Sequence, residues 1–251
     1  MKISCFIFDL DGTLIDSLDD LTNAVNYMRK QFGSKTVQRT DVQKMIGCGI
    51  KELLKNSFIY DGIAISEEEL QKALDIYGKY YAQHQTDATV LYPGVTETLA
   101  ALQSKGVLCA VATNKTRGDA QNILRQLGVM KYIDCVVGDD GKIILKPAPD
   151  SLYEVARQLN VPIEECVMVG DNYTDLGAAR AAGIRSVFCR YGLGFKEPEN
   201  ADIEIDSIAE LENICLYEKF RFCPVQITLY APDSGNHITG DCHCVGRYAR
   251  R

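Results

Sequence analysis

Apolar runs of strand length alternate with helical patterns along most of the chain. Five such runs lie at residues 3–8, 107–112, 133–137, 166–169 and 184–189. The helical stretches between the later runs end at Gly or Pro, as residues 96–104 do before Gly106. This alternation is typical of a parallel sheet with helices on both faces. We therefore predict an α/β fold built on one doubly wound parallel sheet of five strands.

A long helical segment separates the first two predicted strands. The gap of roughly a hundred residues far exceeds the single crossover helix that joins two parallel strands. Its apolar residues recur every three or four positions, and three pairs have the spacing of a capping box: Ser17 with Asp20, Thr40 with Gln43, and Ser66 with Glu69. We predict a helical cap domain at residues 17–91, inserted into a core domain formed by residues 1–16 and 92–216. Polar and Pro/Gly breaks at both junctions suit a hinge over which the cap rocks.

The end of the chain differs from the rest. Ser207 with Glu210 marks the start of a last helix that runs to about residue 216. Residues 217–251 form an extension without an assigned role, for which a hairpin, a subunit contact and a poorly ordered basic end all remain open. Its metal-ligating side chains are Cys223, His237, Cys242, His243 and Cys244. Cys-His-Cys in direct succession lacks the usual spacing of zinc ligands, so we do not predict a zinc site.

Composition and charge exclude several classes of protein. Hydrophobic residues make up 46% and charged residues 24% of the 251 residues, as in an ordinary globular protein. No segment approaches the roughly 20 apolar residues of a membrane-spanning helix, and Asp9 interrupts the first apolar run before it could serve as a signal peptide. A net charge of −7 argues against nucleic acid as a partner. We expect a cytoplasmic protein, monomeric or homodimeric, with no membrane contact.

Polar motifs follow the predicted strands at the edge where parallel sheets bind their ligands. The first motif is Asp9-Leu10-Asp11-Gly12-Thr13, in which two carboxylates spaced i, i+2 turn to the same side. A calcium-binding loop does not fit, because Gly12 falls at loop position 4 instead of 6. The later motifs are Thr113-Asn114-Lys115, Lys146, and Gly170-Asp171 with Asp175. Each alone could be a turn or a helix cap, but their joint order favours a function.

These four motifs, in this order, resemble those of the haloacid dehalogenase superfamily, within it the phosphoglycolate phosphatase-like branch with a helical C1-type cap. The resemblance covers residues 2–216 and implies a Rossmann-like core. The dehalogenases lack the second aspartate of the first motif. Asp11 therefore favours phosphoryl transfer over carbon–halogen cleavage.

The resemblance implies a role for each motif. Asp9 would attack phosphorus to form an aspartyl-phosphate, Asp11 would act as acid and then base, and Lys146 would complete the catalytic set. The residues implied in binding the phosphate or the rest of the substrate are Gly12, Thr113, Asn114, Lys115, Gly47 and Gly49.

The same motifs imply a metal ion. Four carboxylates converging at one sheet edge would repel one another by on the order of 4 kcal/mol per pair at 4 Å, so a cation is expected. Oxygen ligands favour Mg²⁺ over zinc or copper. The resemblance implies that Asp9, Asp11 through its main-chain carbonyl, and Asp171 bind Mg²⁺, with Asp175 behind them.

The substrate is less well determined than the chemistry. The loop Gly47-Cys48-Gly49 precedes a predicted helix whose first turn holds Lys51, and it is either a substrate-facing loop or a simple turn between helices. Lys115 and Arg117 are either a site for an acidic leaving group or solvated charges. We predict a small phosphorylated metabolite, with phosphoglycolate first. A sugar phosphate, pyrophosphate or nucleotide, a β-phosphoglucomutase-type reaction, and a non-enzymatic phospho-acceptor or scaffold remain as alternatives.

Overall fold

A six-stranded parallel sheet forms the centre of the molecule, which the computed structural model describes over residues 2–214. Its strands are β1 Cys5–Phe8, β4 Leu108–Thr116, β5 Cys135–Asp139, β6 Cys166–Gly170, β7 Arg185–Cys189 and β8 Ile203–Ile205. They run in the order β5-β4-β1-β6-β7-β8, and each adjacent pair is parallel. The predicted doubly wound α/β fold is confirmed.

Helices cover both faces of this sheet because successive strand residues point to opposite sides. Phe6 and Phe8 of β1 pack on one face, whereas Cys5 and Ile7 pack on the other. The helices α5 Val95–Ser104 and α6 Arg117–Gln126 cover the first face, and α7 Asp150–Leu159 and α8 Tyr173–Ala182 cover the second. The layers place the carboxyl ends of β1, β4 and β6 side by side.

The strands differ from the prediction in two places. β8 was not predicted, because a run of three residues, Ile203–Ile205, at the edge of the sheet gives too short an alternation to recognise. β4 continues to Thr116, beyond the predicted end at residue 112, because its backbone pairs again with β5 at Asp139 after a shift in register. Thr113, Asn114 and Lys115 therefore lie within the strand, at an irregularity in its pairing.

The helical insert starts and ends at a short antiparallel pair, β2 Ile15–Asp16 with β3 Val90–Leu91. Its helices are α1 Leu18–Gln31, α2 Arg39–Gln43, α3 Ile50–Ile59 and α4 Glu67–His84. These helices pack around an apolar cluster of their own, to which the rest of the chain contributes Leu193. Within residues 2–214, no helix has the length and apolar character required to cross a bilayer.

Two of the three capping boxes predicted in the insert are wrong. Only the box of Ser66 with Glu69 forms, at the start of α4. α2 begins after Gln38, ahead of Thr40. Ser17 does precede α1, but its side chain makes no cap, and Asp16 Oδ1 accepts the hydrogen bond from the Leu18 amide instead.

Asp20, the other half of the supposed box at Ser17, has a different role. Its buried carboxylate accepts hydrogen bonds from the main-chain amides of Ala88 and Thr89 and from Thr89 Oγ1, at 2.7 to 3.1 Å. Asp20 therefore ties the first helix of the insert to the segment that leads out of it.

The box of Ser207 with Glu210 is confirmed, although it opens a 3₁₀ turn at Ile208–Glu210 before residues 211–214 continue as helix. The rest of the predicted last helix and the extension at residues 217–251, with its rejected zinc site, lie outside the described residues.

We expect Asp20→Ala to lower the free energy of unfolding by about 3 kcal/mol, because two buried amides and a hydroxyl lose a charged acceptor. Chemical denaturation measures the change. Asp19→Ala, at an exposed neighbouring position, is the matched control and should change stability by less than about 0.5 kcal/mol. Equal losses in the two variants would contradict the role of Asp20.

Candidate active site

Three carboxylates meet at the carboxyl edge of the sheet. Asp9 directly follows β1, Asp171 directly follows the adjacent strand β6, and Asp175 lies in the first turn of α8. One oxygen from each lies within 4.8 Å of the others. Asp171 and Asp175 are 2% and 0% exposed, so water screens their charges poorly.

Lys146 supplies positive charge to this acidic cluster of Asp9, Asp171 and Asp175. Its Nζ lies 2.9 Å from Asp9 Oδ1 and 2.6 Å from Asp175 Oδ1, and it donates a hydrogen bond to the Ala112 carbonyl at 2.7 Å. Burial acts to lower the pKa of Lys146, but the charges of Asp175 and Asp9 outweigh it and raise the pKa above its usual range. Lys146 is therefore a fixed, charged ammonium group.

One ammonium does not neutralise three carboxylates. Burial raises the pKa of Asp9 to about 6, against the opposing effect of Lys146 and with a smaller contribution from Asp175. Burial, followed by the charges of Asp175 and Asp9, raises the pKa of Asp171 to about 8. The cluster is therefore short of positive charge at neutral pH.

Asp171 is held by Thr13 of the first motif and by a loop that the sequence motifs did not include. Its Oδ1 accepts a hydrogen bond from Thr13 Oγ1 at 2.9 Å, and its Oδ2 accepts from the amides of Leu193 and Gly194 at 2.9 and 2.8 Å. Gly12, with φ of +89°, packs so closely that a Cβ there would overlap the Asp171 carboxylate. The Gly192-Leu193-Gly194 sequence after β7 was the signal that could have identified this second loop.

A divalent cation fits this arrangement. The acidic cluster offers three hard oxygen donors, and Asp9 Oδ1 is buried without a well-aligned hydrogen bond from any residue in 2–214, its contact being the ion pair with Lys146. Oxygen ligands of this kind bind Mg²⁺ or Ca²⁺ rather than soft metals. The site can thus hold a metal ion that offsets its excess negative charge.

The carboxylate of Asp11 is not one of the three whose oxygens lie within 4.8 Å of one another, although Asp11 lines the same cavity as Asp9 and Asp171. Asp11 Oδ1 accepts a hydrogen bond from Ser17 Oγ, and Asp11 Oδ2 lies 3.0 Å from Lys115 Nζ. The Asp11 side chain is thus held between Ser17, just before α1, and Lys115 of β4. Ser17, read from the sequence as a helix cap, instead positions Asp11. The main-chain carbonyl of Asp11 as a metal ligand stays a prediction.

Asn114 joins three segments of the site. Its Nδ2 donates to the carbonyls of Gly47 and Lys146 at 2.8 and 2.9 Å, and its Oδ1 accepts from the Lys146 amide at 2.8 Å. Both amide hydrogens are thus engaged with backbone, which leaves none for a phosphate in this arrangement. Thr113 lines the cavity described below, and its Oγ1 accepts from the Lys115 amide at 3.2 Å.

The Gly47-Cys48-Gly49 loop contacts the core directly, so it is more than a turn between helices. A Cβ at Gly47 would lie 2.7 Å from Asn172 Nδ2, and one at Gly49 would lie 3.0 Å from Leu145 Cδ1. Cys48 Sγ lies 3.1 Å from the hydroxyl of Tyr173. Only residues without a Cβ allow the insert to approach this closely.

A cavity of about 220 Å³ separates the acidic cluster from the insert. Asp9, Asp11 and Asp171 line its floor. The apolar lining comes from Leu21, Ile46, Ile50, Leu53, Leu74, Tyr77, Tyr81 and Leu193, and the further polar lining includes Thr116, Asp119 and Asn172. Among the described residues, Lys115 is the cationic side chain that lines it. Arg117 does not line it, and donates instead to the carbonyl of Val136 at 3.1 Å.

Fold and site together define a doubly wound α/β core with a cluster of acidic side chains, suited to bind a metal ion, at the carboxyl edge of its sheet. The family model for haloacid dehalogenase-like hydrolases matches residues 6–189. The chain belongs to that family, and the resemblance drawn from the four motifs is confirmed. The prediction of an enzyme of the phosphatase type is confirmed with it.

Similar proteins support the same placement. The chain is 38% identical over 199 residues to the phosphoglycolate phosphatase of Colwellia psychrerythraea, covering 77% of this chain and 87% of that protein. It is 37% identical to the phosphoglycolate phosphatase of Neisseria meningitidis, covering 76% and 82% respectively. A solved structure from Haemophilus somnus, described as a predicted phosphoglycolate phosphatase, superimposes with a TM-score of 0.80 at 28% identity, covering 85% and 98%.

We expect Mg²⁺ to raise the melting temperature of the protein by several degrees, since a ligand at about 100 times its Kd stabilises by about 2.7 kcal/mol. In Asp171→Asn this increase should be lost, while Asp87→Asn, at an exposed position, should retain it. Differential scanning fluorimetry with and without EDTA measures both. An undiminished Mg²⁺ shift in Asp171→Asn would show that the ion binds elsewhere.

Asp171→Asn should also stabilise the metal-free protein, by an amount that depends on pH. The folded-state pKa of Asp171 is raised from 3.8 to about 8, so wild-type stability is lost as pH rises between these values. The amide oxygen can still accept the hydrogen bonds from Leu193 and Gly194. The stability advantage of the variant should therefore grow from about pH 4 to about pH 8, as measured by denaturation in EDTA. A difference in unfolding free energy between variant and wild type that stays constant over this pH range would contradict the raised pKa of Asp171.

Proposed function

We propose that this protein is a Mg²⁺-dependent phosphatase that hydrolyses a small phosphomonoester carrying a carboxylate, with 2-phosphoglycolate as the first substrate to test. The observation that carries the proposal is the cavity. The Asp9 carboxylate lines it, the insert contributes mainly apolar side chains, and within residues 2–214 Lys115 is the cationic side chain that lines it. The names of the similar phosphatases agree with this choice of substrate.

The reaction would proceed in two displacements on phosphorus. A carboxylate oxygen of Asp9 attacks phosphorus, the bond to the leaving oxygen breaks, and Asp11 gives that oxygen a proton. Water then attacks the aspartyl-phosphate, Asp11 takes its proton, and Asp9 is released with inorganic phosphate. Asp11 lines the same cavity as Asp9, so it can reach the leaving oxygen of a substrate bound there.

The remaining residues would position and neutralise the phosphoryl group. Lys146 sits 2.9 Å from Asp9 and can bind an oxygen of the transferring group, on which negative charge accumulates. Thr113 lines the cavity beside Asp9 and offers a hydroxyl. Asn114 holds the backbone at Lys146 and the Gly47 loop in place through its side-chain hydrogen bonds.

Asp9 and Asp171 would hold Mg²⁺ with Asp175 behind them, where the ion would neutralise phosphate charge and lower the repulsion between phosphate and carboxylate. Asp175 is occupied by Lys146 and by the Asn172 amide, which suits a supporting position.

The cavity argues against the larger alternatives. Its volume lies below the roughly 300–1,000 Å³ of sites for drug-sized ligands, which disfavours nucleotides. Its apolar insert wall offers few partners for the hydroxyl groups of a sugar phosphate, as a β-phosphoglucomutase-type reaction would need. A short leaving group with one anionic group fits best.

A panel of phosphomonoesters assayed with Mg²⁺ tests the proposal. We expect the highest kcat/KM for 2-phosphoglycolate, above glucose 6-phosphate, β-glucose 1-phosphate, pyrophosphate and AMP. Isomerisation of β-glucose 1-phosphate would establish the mutase alternative. Failure to release phosphate from any member of the panel would refute the proposal.

Asp9→Asn should reduce phosphate release to less than about 1% of wild type, because an amide is a poor nucleophile. The melting temperature should stay near that of wild type, which separates lost chemistry from lost folding. Asp16→Asn, at a carboxylate outside the cavity lining, is the control and should retain activity. Turnover by Asp9→Asn at more than a few per cent would contradict covalent catalysis by Asp9.

A further inference from the structure

Two tyrosines of the insert line the cavity opposite the acidic cluster. Tyr77 and Tyr81 lie four residues apart on α4, so their side chains share one face of the helix. Their rings stack with centroids 5.3 Å apart, and they are 5% and 3% exposed. No sequence motif singled them out, because tyrosines spaced i, i+4 are ordinary core residues of a helix.

Tyr81 fixes the ammonium group of Lys115. Lys115 Nζ donates a hydrogen bond to the Tyr81 hydroxyl at 3.0 Å and lies 4.8 Å from the centre of its ring. The same Nζ forms the 3.0 Å ion pair with Asp11. An ammonium group has three hydrogens, so these two contacts leave one for a ligand in the cavity that Lys115 lines.

The hydroxyl of Tyr77 forms no hydrogen bond with any residue in the described range 2–214, although Tyr77 is almost completely buried and lines the cavity. The hydroxyl oxygen is not one of the fully enclosed polar side-chain atoms that lack a partner within residues 2–214, so it is accessible from the cavity. It can therefore donate a hydrogen bond to a ligand that enters the cavity. The other side chains from α3 and α4 that line the cavity, Ile50, Leu53 and Leu74, are aliphatic and cannot compete for it. Tyr77 and Lys115 therefore offer two free donors beside the aliphatic side chains of the insert. Asp119 also lines the cavity, where its Oδ2 accepts a hydrogen bond from Thr116 Oγ1 at 2.6 Å.

We propose that the Tyr77 hydroxyl and the Lys115 ammonium group together bind the carboxylate of the substrate's leaving group, and that Tyr81 is a positioning residue that holds Lys115 for this contact. The inference rests on the proposed phosphatase function and adds the residues that select the substrate. Lys115 is the cationic side chain along this cavity in the described residues, and Asp11 and Asp119 also line it, so a ligand group with one negative charge suits the site. A second phosphate would bring more charge than Lys115 can balance.

The test compares two substrates that differ only at the carboxylate. Ethyl phosphate replaces the carboxylate of 2-phosphoglycolate with a methyl group and keeps the bond that is broken. In Tyr77→Phe, the ratio of kcat/KM for 2-phosphoglycolate to that for ethyl phosphate should fall by about tenfold, mainly through KM for 2-phosphoglycolate. Tyr81→Phe keeps the ring over Lys115 but removes the acceptor, and should lower the ratio in the same direction.

Tyr80→Phe is the matched control. Tyr80 belongs to the same helix, but it stacks on Tyr27 and His84 and does not line the cavity. Its loss of a hydroxyl should leave the substrate ratio at the wild-type value. An unchanged ratio in a folded Tyr77→Phe protein, or an equal fall in Tyr80→Phe, would overturn the inference.

Binding of glycolate, the leaving product, tests the same contact without turnover. Calorimetric titration of the full chain with glycolate in Mg²⁺ should show a Kd raised about tenfold by Tyr77→Phe and unchanged by Tyr80→Phe. Glycolate that fails to bind wild type, or binds both variants equally, overturns the inference even if 2-phosphoglycolate is hydrolysed. Absence of phosphate release from every substrate overturns the proposed function, whatever glycolate does.

Discussion

Repulsion between buried carboxylates is the constraint around which the site is built. One oxygen each of Asp9, Asp171 and Asp175 lies within 4.8 Å of the others, because β1 and β6 are neighbours in the sheet and α8 begins just after β6. Lys146 offsets part of this charge, while burial, with a smaller contribution from the neighbouring carboxylates, raises the pKa of Asp9 and Asp171. Such a cluster costs stability, which proteins tolerate where a cation or a reacting group uses it. The surrounding hydrogen bonds from Thr13, Leu193 and Gly194 keep Asp171 in place despite that cost.

The insert completes the site from the other side. Asn114 connects the Gly47 loop to the Lys146 segment, while Lys115 reaches from β4 to Tyr81 on α4. Asp11, to which we assign the roles of general acid and base, is held by Ser17 and Lys115. Short polar contacts therefore link the proposed catalytic residues of the core to the residues of the insert that we propose to select the substrate. A change in the position of the insert would alter the geometry of both sets.

Much of the fold could be predicted because it depends on local patterns. Buried parallel strands appear as apolar runs, and the motif residues follow them at the ligand edge. The acidic cluster could be anticipated for the same reason, since strand ends that are distant in sequence meet in a parallel sheet. Contacts that depend on the exact path of the chain could not. Ser17 has the spacing of a helix cap, yet its hydroxyl donates a hydrogen bond to Asp11. Asn114 is expected from its motif to bind phosphate, yet its side-chain amide donates to two backbone carbonyls. Tyr77 gains its significance only from a cavity that sequence spacing does not reveal.

Detection of a phosphoryl group on Asp9 tests the account most directly. Full-length protein mixed with 2-phosphoglycolate and Mg²⁺ is quenched in acid within one turnover, digested, and the peptide that contains Asp9 is analysed by mass spectrometry. The account predicts one added phosphoryl group on Asp9, absent when EDTA replaces Mg²⁺. Rapid phosphate release with Asp9 unmodified, or with the phosphoryl group on another residue, would contradict it.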